Sequence, residues 1–402
     1  MLGARMHFAV PALLANAGLL HTFYTDTYVG NKPWLNKMLN RVPRDLKPEI
    51  FDRLSGRASA GIPSERVVSF DLLGLSYFLN RRRPLTPSAF ANVAARANRK
   101  FGCRVIQAGL DGAKVVWGYN GAALEIFQHA RDRDISCVLE QSIAPRNFEL
   151  KLFDEESERW PGWQPQSCVK GPDPLSEREA AEWALADRIV CGSDFVAQAL
   201  AQEGVPSDRI KVVPYGVDLT HFKANPPREH ETLNLLFLGE VGLRKGVPYL
   251  LDALREVNRP RQIRAKLAGP IALDRSRLGD YSRWCEVVGA VTRRQARELY
   301  RWADLLVLPS VCEGSATVTY EALACGVPVI TTHNSGSMVR DGDDGFIVPI
   351  RDPNKLAARI ARLADDQHLL AEMSKAAIAR AGDISLAAYA ERLIGALPLD
   401  QE

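Results

Sequence analysis

The sequence predicts an α/β protein of two doubly wound, Rossmann-like domains facing across a cleft. Three observations predict it. Short β-branched runs alternate with helical segments from about residue 113; the alternation restarts at LNLLFLG, residues 233–239; and a Pro-rich, charged stretch, VPYGVDLTHFKANPPREHE, separates the two series. Near-continuous apolar strands spaced by helices belong to parallel sheets covered on both faces. A chain of 402 residues is too long for one ordinary core and sufficient for two domains of about 150–200 residues. Residues 1–216 are assigned to an N-terminal domain and 217–384 to a C-terminal one, with a closing helix over 385–402 packing back on the first.

The opening MLGARMHFAVPALLANAGLL is apolar but interrupted by His7, Pro11 and Asn16. It lacks the order of charge, apolar run and cleavage site that marks a signal peptide, and reads as an amphipathic core helix. Residues 31–104 are less regular and basic, with Lys32, Lys37, Arg41, Arg53, Arg81, Arg82, Arg83, Arg99, Lys100 and Arg104 among them. They read as solvated helix faces, or as an attraction to an anionic acceptor or the inner membrane surface, where each basic residue adds about 1 kcal/mol.

Strand AKVVWGY follows, then a helix over 121–133, strand ISCVLEQ, and helical sequence to about Arg159. After a Trp- and Pro-rich loop, Ser176 and Glu179 have the spacing of a capping box. RIVCGS, a helix opened by Ser193 or Asp194, and RIKVVPYG end the first series. The second runs LNLLFLG, a helix over 247–257, RAKLAG, CEVVGAV, a helix capped by Thr292 with Gln295, DLLVLPS, a helix after Glu313, and VPVITT. A hinge is expected near Val217 and Asp218, with ligands beyond the carboxyl ends of the strands.

Composition narrows the partners. A net charge of +3 gives no support to nucleic acid. Seven cysteines, spread singly, suit reduced and mostly buried thiols in a cytoplasmic protein better than disulfides or a zinc site. No apolar run approaches the ~20 residues that span a bilayer.

The chemistry concentrates in Glu313-Gly-Ser-Ala-Thr-Val-Thr-Tyr-Glu321, directly after the strand DLLVLPS. Gly314 permits a tight turn, and Ser315, Ala316 and Thr317 would present free N–H groups at a helix start. Such a terminus carries roughly half a positive charge and takes phosphate readily. Glu313 would face the cleft from the loop, and Glu321 would lean back toward the same ligand. The loop Gly239-Glu-Val-Gly-Leu-Arg244-Lys245-Gly246 adds two adjacent cations and glycines that let it lie close to a pyrophosphate.

On the Glu-x7-Glu pattern, the Arg-Lys-Gly loop, PYGVD at the joint and ALACGVPVITT, the chain resembles the family-4 retaining glycosyltransferases of the GT-B fold (glycosyl transferases group 1) from about Ile135 to Asp352. The resemblance implies sugar transfer from a nucleoside diphosphate sugar with retention of configuration, with no cofactor and no metal. Glu313 would bond donor-sugar hydroxyls and Glu321 the ribose. Arg244 and Lys245 would clamp the diphosphate beside Gly239, and the loop around Val291 would lie near the base. Glu140, ending ISCVLEQ, falls where acceptor or sugar contacts are expected, and His7 is either an acceptor contact or a partly buried helix histidine.

The acceptor is expected to be a glycan, a lipid-linked molecule or a small metabolite, in surface glycan, lipid or polysaccharide synthesis. The location is expected to be cytoplasmic, with peripheral contact at the inner membrane. Base, sugar and oligomeric state stay open.

Two departures stand out. Glu240 occupies a position where many members carry arginine. GARMHFAVPALLANAGLL resembles the fold's first helix, so the strand before it is expected to be short or lacking, which bears on the loop from Gly3 to Arg5. The alternative functions are a non-catalytic GT-B protein that binds a nucleotide or glycan, and a nucleotide-sugar epimerase or phosphorylase on the same fold. Trp160 and Trp163 read as sugar-stacking or packing residues. Asp132-Arg-Asp134 and the acidic run Asp341 to Gly345 read as structural turns.

Overall fold

A computed structural model describes residues 5–32, 57–59, 61–81, 86–165, 172–224, 232–259 and 262–398. Gly3, Lys37, Arg41, Arg53, Arg82, Arg83, Cys168 and positions 225–231 of the predicted joint lie outside the described residues. The chain divides into two compact units, residues 1–140, 169–190 and 393–402 in the first, and 141–168 with 191–392 in the second.

The first series of elements is α1 (Ala9–Asn16), β1 (Phe23–Thr25), β2 (Val67–Ser69), α2 (Asp71–Arg81), α3 (Pro87–Ala108), β3 (Val115–Tyr119), α4 (Leu124–Arg131), β4 (Ser136–Gln141), α5 (Arg146–Arg159), α6 (Pro174–Leu185), β5 (Arg188–Cys191), α7 (Asp194–Gln202) and β6 (Ile210–Val212). The second is β7 (Leu233–Leu238), α8 (Val247–Val257), β8 (Ile263–Ala268), α9 (Arg275–Gly279), β9 (Cys285–Gly289), α10 (Arg293–Trp302), β10 (Leu305–Leu308), α11 (Thr317–Ala324), β11 (Val329–Thr332), β12 (Gly345–Val348), α12 (Pro353–Asp365), α13 (Gln367–Ala379) and α14 (Leu386–Gly395). Strands pair as β1-β2, as β3-β4-β5-β6, and as β12-β11-β10-β7-β8-β9.

The second unit is a doubly wound parallel sheet. Every residue of β7, β10 and β11 is buried, as both-face coverage requires. Helix α8 buries Val247, Leu250, Leu251 and Leu254 at helical spacing and stops at Asn258, whose φ of 49° leaves the helical region. Each such leucine contributes about 1.5–3 kcal/mol by leaving water.

In the first unit, Thr86 caps α3 through the Ala89 N–H, and Pro87 takes the first helical position, where no N–H is needed. Ala91, Ala94, Ala97, Phe101 and Val105 form its buried stripe. The start of α4 is capped from α6: the buried Glu182 carboxylate accepts N–H bonds from Gly121 (2.6 Å), Ala123 (2.8 Å) and Leu124 (3.1 Å). Arg178 binds Glu125 through two nitrogens, at 2.8 and 2.7 Å, beside it.

Two expectations are corrected, and one left open between two roles is decided. Ser176 and Glu179 make no capping box: α6 begins three residues earlier because Pro174 suits its first turn, Asp173 accepts from the Leu175 N–H, and Ser176 donates to Asp173. The opening helix is shorter than drawn, since Met6, His7 and Phe8 lie at φ 45°, 51° and 64° and only Ala9–Asn16 is α-helical. Trp160 and Trp163 pack edge-on at 4.9 Å, against Tyr249 and Tyr281 on the second unit's core, which is a packing role.

Candidate functional site

The order of the larger sheet reverses between β7 and β10. From β7 the chain winds one way to β8 and β9, and β10 leads the other way to β11 and β12. Such a switch point opens a crevice at the carboxyl ends of the two strands, which here are direct neighbours (Leu235 opposite Leu305, Leu236 opposite Leu306). The loop 239–246 leaves β7 there and the loop 309–316 leaves β10. The two sequence motifs are therefore brought together by topology.

Backbone contacts lock the loops side by side. The Arg244 carbonyl accepts from the Val311 and Cys312 N–H groups at 2.9 and 3.3 Å. Gly246 has φ 67°, and a Cβ there would stand 2.0 Å from the Pro309 oxygen, so only glycine lets the loops approach. Gly314 is equally constrained, with a Cβ position 2.0 Å from the Ser142 oxygen. Two residues whose contacts here carry no local sequence signal complete the frame. The Gln164 side chain accepts the Leu243 N–H at 2.9 Å, and the Ser193 hydroxyl donates to the Gly314 carbonyl at 2.5 Å.

Both cations converge on one oxygen of Glu313. Arg244 Nη1 lies 2.5 Å and Lys245 Nζ 2.7 Å from Oε1, and Arg244 also donates to the Cys312 carbonyl at 3.1 Å. Among the described residues no hydrogen bond falls on Oε2, which leaves it as an acceptor. Burial pushes the Glu313 carboxyl up, but Lys245 and Arg244 outweigh it and hold the group below its ordinary range. Arg244 stays cationic: burial works against its charge, and Glu313 restores it. Glu240 is exposed.

The start of α11 supplies donors, with one correction. The Ala316 N–H is not free, because the Ser335 carbonyl takes it at 3.0 Å. Among the described residues the N–H groups of Gly314, Ser315 and Thr317 make no hydrogen bond. The Ser315 hydroxyl is engaged with the Tyr320 hydroxyl (2.6 Å) and the Gly336 carbonyl (3.0 Å), so Ser315 has its N–H, not its side chain, to offer.

Glu321 lies one turn into α11. The buried Tyr300 of α10 donates to its Oε2 at 2.8 Å. Burial raises the Glu321 carboxyl above its ordinary value, with Tyr300 and Arg293 opposing. Sequence reasoning missed Tyr300, since a tyrosine inside an amphipathic helix signals only packing. Thr292 and Gln295 form the predicted capping box at the start of α10. Val291 sits half-buried just before it, and Gly239 directly follows β7 at φ 148°.

The remaining two predicted residues belong to the first unit. Glu140 is buried and accepts from the Trp117 indole at 3.0 Å. His7 is exposed, in the left-handed turn before α1.

This arrangement defines a class. Residues 232–366 match the family described as Glycosyl transferases group 1, and the chain folds as GT-B glycosyltransferases do. It is 32% identical over 234 residues to D-inositol 3-phosphate glycosyltransferase 2 of Catenulispora acidiphila, covering 51% of this chain and 54% of the relative. It is 28% identical over 261 residues to D-inositol 3-phosphate glycosyltransferase of Thermobifida fusca, covering 58% of each. The chain thus spans about half the length of the curated relatives it matches. Sucrose-phosphate synthase of Thermosynechococcus elongatus superposes with a TM-score of 0.66 at 17% identity, over 98% of this chain and 91% of that one. HepE of Anabaena, solved in complex with UDP, gives 0.58 at 17% identity, over 74% and 81%.

Proposed function

We propose that the protein is a retaining glycosyltransferase that moves a sugar from a nucleoside diphosphate sugar to an acceptor, in surface glycan, lipid or polysaccharide synthesis. The observation that carries this reading is the convergence of Arg244 and Lys245 on Oε1 of Glu313 at the switch point, beside the N–H groups of Gly314, Ser315 and Thr317, which make no hydrogen bond among the described residues. HepE, bound to UDP and in another crystal to UDP-glucose, supports a nucleotide-sugar donor.

The residues divide the work by charge. As the glycosidic bond breaks, the sugar takes on oxocarbenium character and negative charge grows on the departing diphosphate. Arg244, Lys245 and the α11 terminus stand where that charge develops, and losing one such donor costs about 3–4 kcal/mol of barrier in comparable sites. These fixed charges do the work a metal would otherwise do. Glu313 stays ionised, so Oε2 accepts a sugar hydroxyl and orients the ring, while Glu321 accepts from the ribose. Its two cations withdraw charge from Glu313, which suits it to orient rather than to attack; a double displacement would need a free carboxylate nucleophile. Retention then follows from attack on the face the diphosphate leaves.

Peripheral membrane contact is supported by α2, which exposes Leu72, Leu75 and Leu79 (85%, 53% and 53%) along one side. The neighbouring α3 exposes Arg96, Arg99, Lys100 and Arg104. Apolar and basic faces together suit the anionic cytoplasmic leaflet.

The test is isothermal titration against UDP, GDP, ADP and dTDP without added metal, repeated on Glu321→Ala. Micromolar binding of one nucleotide, weakened in the variant, supports the reading. Absence of binding to all four overturns it.

A further inference from the structure

The buried carboxylate of Glu156 takes no part in the chemistry above, yet both its oxygens are engaged. Arg351 Nε donates to Oε1 at 2.6 Å, and the Tyr249 hydroxyl donates to Oε2 at 2.8 Å. Arg351 also reaches Glu155 Oε2 through Nη2 at 2.7 Å. Three stretches of the second unit meet here: the end of α5, the first turn of α8, and the turn between β12 and α12. Glu156 is 0% exposed, and a carboxylate so placed keeps its charge only when paired. Burial pushes the Tyr249 hydroxyl up, so it remains a donor.

This lock is unfavourable to build. Arg351 stands at φ 63°, in the left-handed region that a side chain with a Cβ disfavours. A buried ion pair often adds no net stability over apolar packing of the same volume. Both costs are explained if what the lock secures is a position.

That position lies a short way along the chain. The Glu156 carbonyl accepts the Trp160 N–H at 2.9 Å, the Trp160 carbonyl the Trp163 N–H at 3.2 Å, and the Trp163 carbonyl the Asp274 N–H at 2.7 Å. The next residue, Gln164, accepts the Leu243 N–H at 2.9 Å. Leu243 is buried and directly precedes Arg244, so a shift of its backbone carries Arg244 with it. A continuous run of contacts thus leads from Arg351 to the loop that bears both cations.

We infer that Glu156 and Arg351 are positioning residues, acting through the end of α5 and Gln164 on the aim of Arg244 and Lys245. The inference rests on the reading of those two cations as the groups that meet the departing diphosphate. Misplacing reacting groups by about 1 Å can cost about 10²-fold in rate. Loosening this brace should cost less, because the bonds to Glu313 and to the Val311 and Cys312 N–H groups persist.

The experiment measures kcat and KM for the nucleotide sugar that the parent uses, nucleoside diphosphate affinity, thermal midpoint, and amide exchange over 239–246. Gln164→Met keeps the bulk of the side chain and loses the acceptor. It should lower kcat by about tenfold, leave KM and affinity within about threefold, and speed exchange over 239–246 by about tenfold. Arg351→Gly suits the left-handed turn and removes the cation; it should act in the same direction, by about threefold to tenfold. Arg351→Lys keeps the charge and should recover part of that loss. Since both residues act along one path, the double variant Arg351→Gly, Gln164→Met should be no slower than Gln164→Met alone. Tyr249→Phe leaves the ion pair in place and should give a smaller loss of the same kind. The inference is overturned if Arg351→Gly and Tyr249→Phe lower the midpoint while kcat and exchange over 239–246 keep their parent values, or if the losses multiply in the double variant. Should the parent turn over no nucleotide sugar, the donor-site reading falls. Exchange over 239–246 then decides the brace by itself, and parent-like exchange in Arg351→Gly overturns it.

Discussion

Arg244 and Glu313, 69 positions apart, meet at 2.5 Å, and Lys245 joins them at the same carboxylate oxygen at 2.7 Å. One carboxylate thereby fixes the positions of both cations before any ligand arrives, and preorganised charge is what acts on a developing anion without reorganisation. The same pairing makes Glu313 a compound part: it anchors two cations through Oε1, while no hydrogen bond among the described residues falls on Oε2.

Glu313→Gln separates these roles. Removing the anion leaves two partly buried cations less neutralised, so nucleoside diphosphate should bind as tightly or more tightly. Turnover should fall by about 10²-fold, because a sugar-orienting acceptor and the alignment of both cations are weakened together. Titration calorimetry and initial rates check the two halves. Weaker nucleotide binding with unchanged turnover would contradict the assignment. Because the Glu313 carboxyl is held below its ordinary range, its ion pairs stabilise the fold above that range, and the contribution is lost as pH falls through the lowered value.

Lys245→Ala should lower kcat by about 10²–10³-fold with a smaller change in KM, since the ammonium acts most on charge that appears in the transition state. Lys245→Arg should recover only part, because a planar fork cannot replace a compact point charge packed against Gly239. Steady-state kinetics with the donor found by titration decides; a pure KM effect would reassign Lys245 to ground-state binding.

Glu321→Ala should weaken nucleotide binding by about tenfold, the loss of one or two hydrogen bonds to an ionised acceptor. Tyr300→Phe should weaken it less, by removing the 2.8 Å bond that favours the carboxylate. The raised carboxyl fixes the sign of the pH effect. Folded protein holds this proton more tightly than unfolded chain, so stability declines as pH rises from the ordinary carboxylate value through the raised one. Binding that needs the carboxylate should strengthen over the same interval, and titrations across that interval would reveal it.

Much of the fold and half of the site were legible because local signals agreed. The run LNLLFLG, the helix over 247–257 and the Thr292–Gln295 box each carry their own periodicity or cap, and all three appear as read. Glu313, Arg244 and Lys245 could be paired because both motifs directly follow strands, and parallel topology brings such loops together. Tyr300 and Gln164 could not be read, nor could the reach of Ser193, read as a helix start, to Gly314, because each contact spans many residues with no spacing rule. The α6 cap was misplaced since two overlapping start signals, Asp173-Pro174 and Ser176, compete, and proline at the first helical position prevails.

Membrane contact should depend on α2. Replacing Leu72, Leu75 and Leu79 together by Ser removes exposed apolar surface without touching the core, so the thermal midpoint should stay within about 2 °C. Sedimentation with vesicles containing anionic phospholipid should fall severalfold, and added salt should weaken what remains by screening α3. Equal sedimentation of parent and variant would remove α2 from the contact.

Glu182 yields the sharpest stability prediction. Burial raises its carboxyl to about 7, although the N–H groups of Gly121 and Ala123 and the Arg178 guanidinium pull the other way. Glu182→Ala leaves those N–H groups without their acceptor inside a buried site and should destabilise the fold by about 2–4 kcal/mol. Glu182→Gln keeps the shape but turns an NH₂ toward a backbone donor, and should be intermediate. The folded state retains the proton between the ordinary carboxylate value and about 7, so wild-type stability should fall as pH rises across that window and level off above it. The Gln variant cannot ionise there and should lack that slope. Urea unfolding of both proteins from pH 4.5 to 8 checks it, and parallel curves would show that Glu182 is already ionised at the acid end.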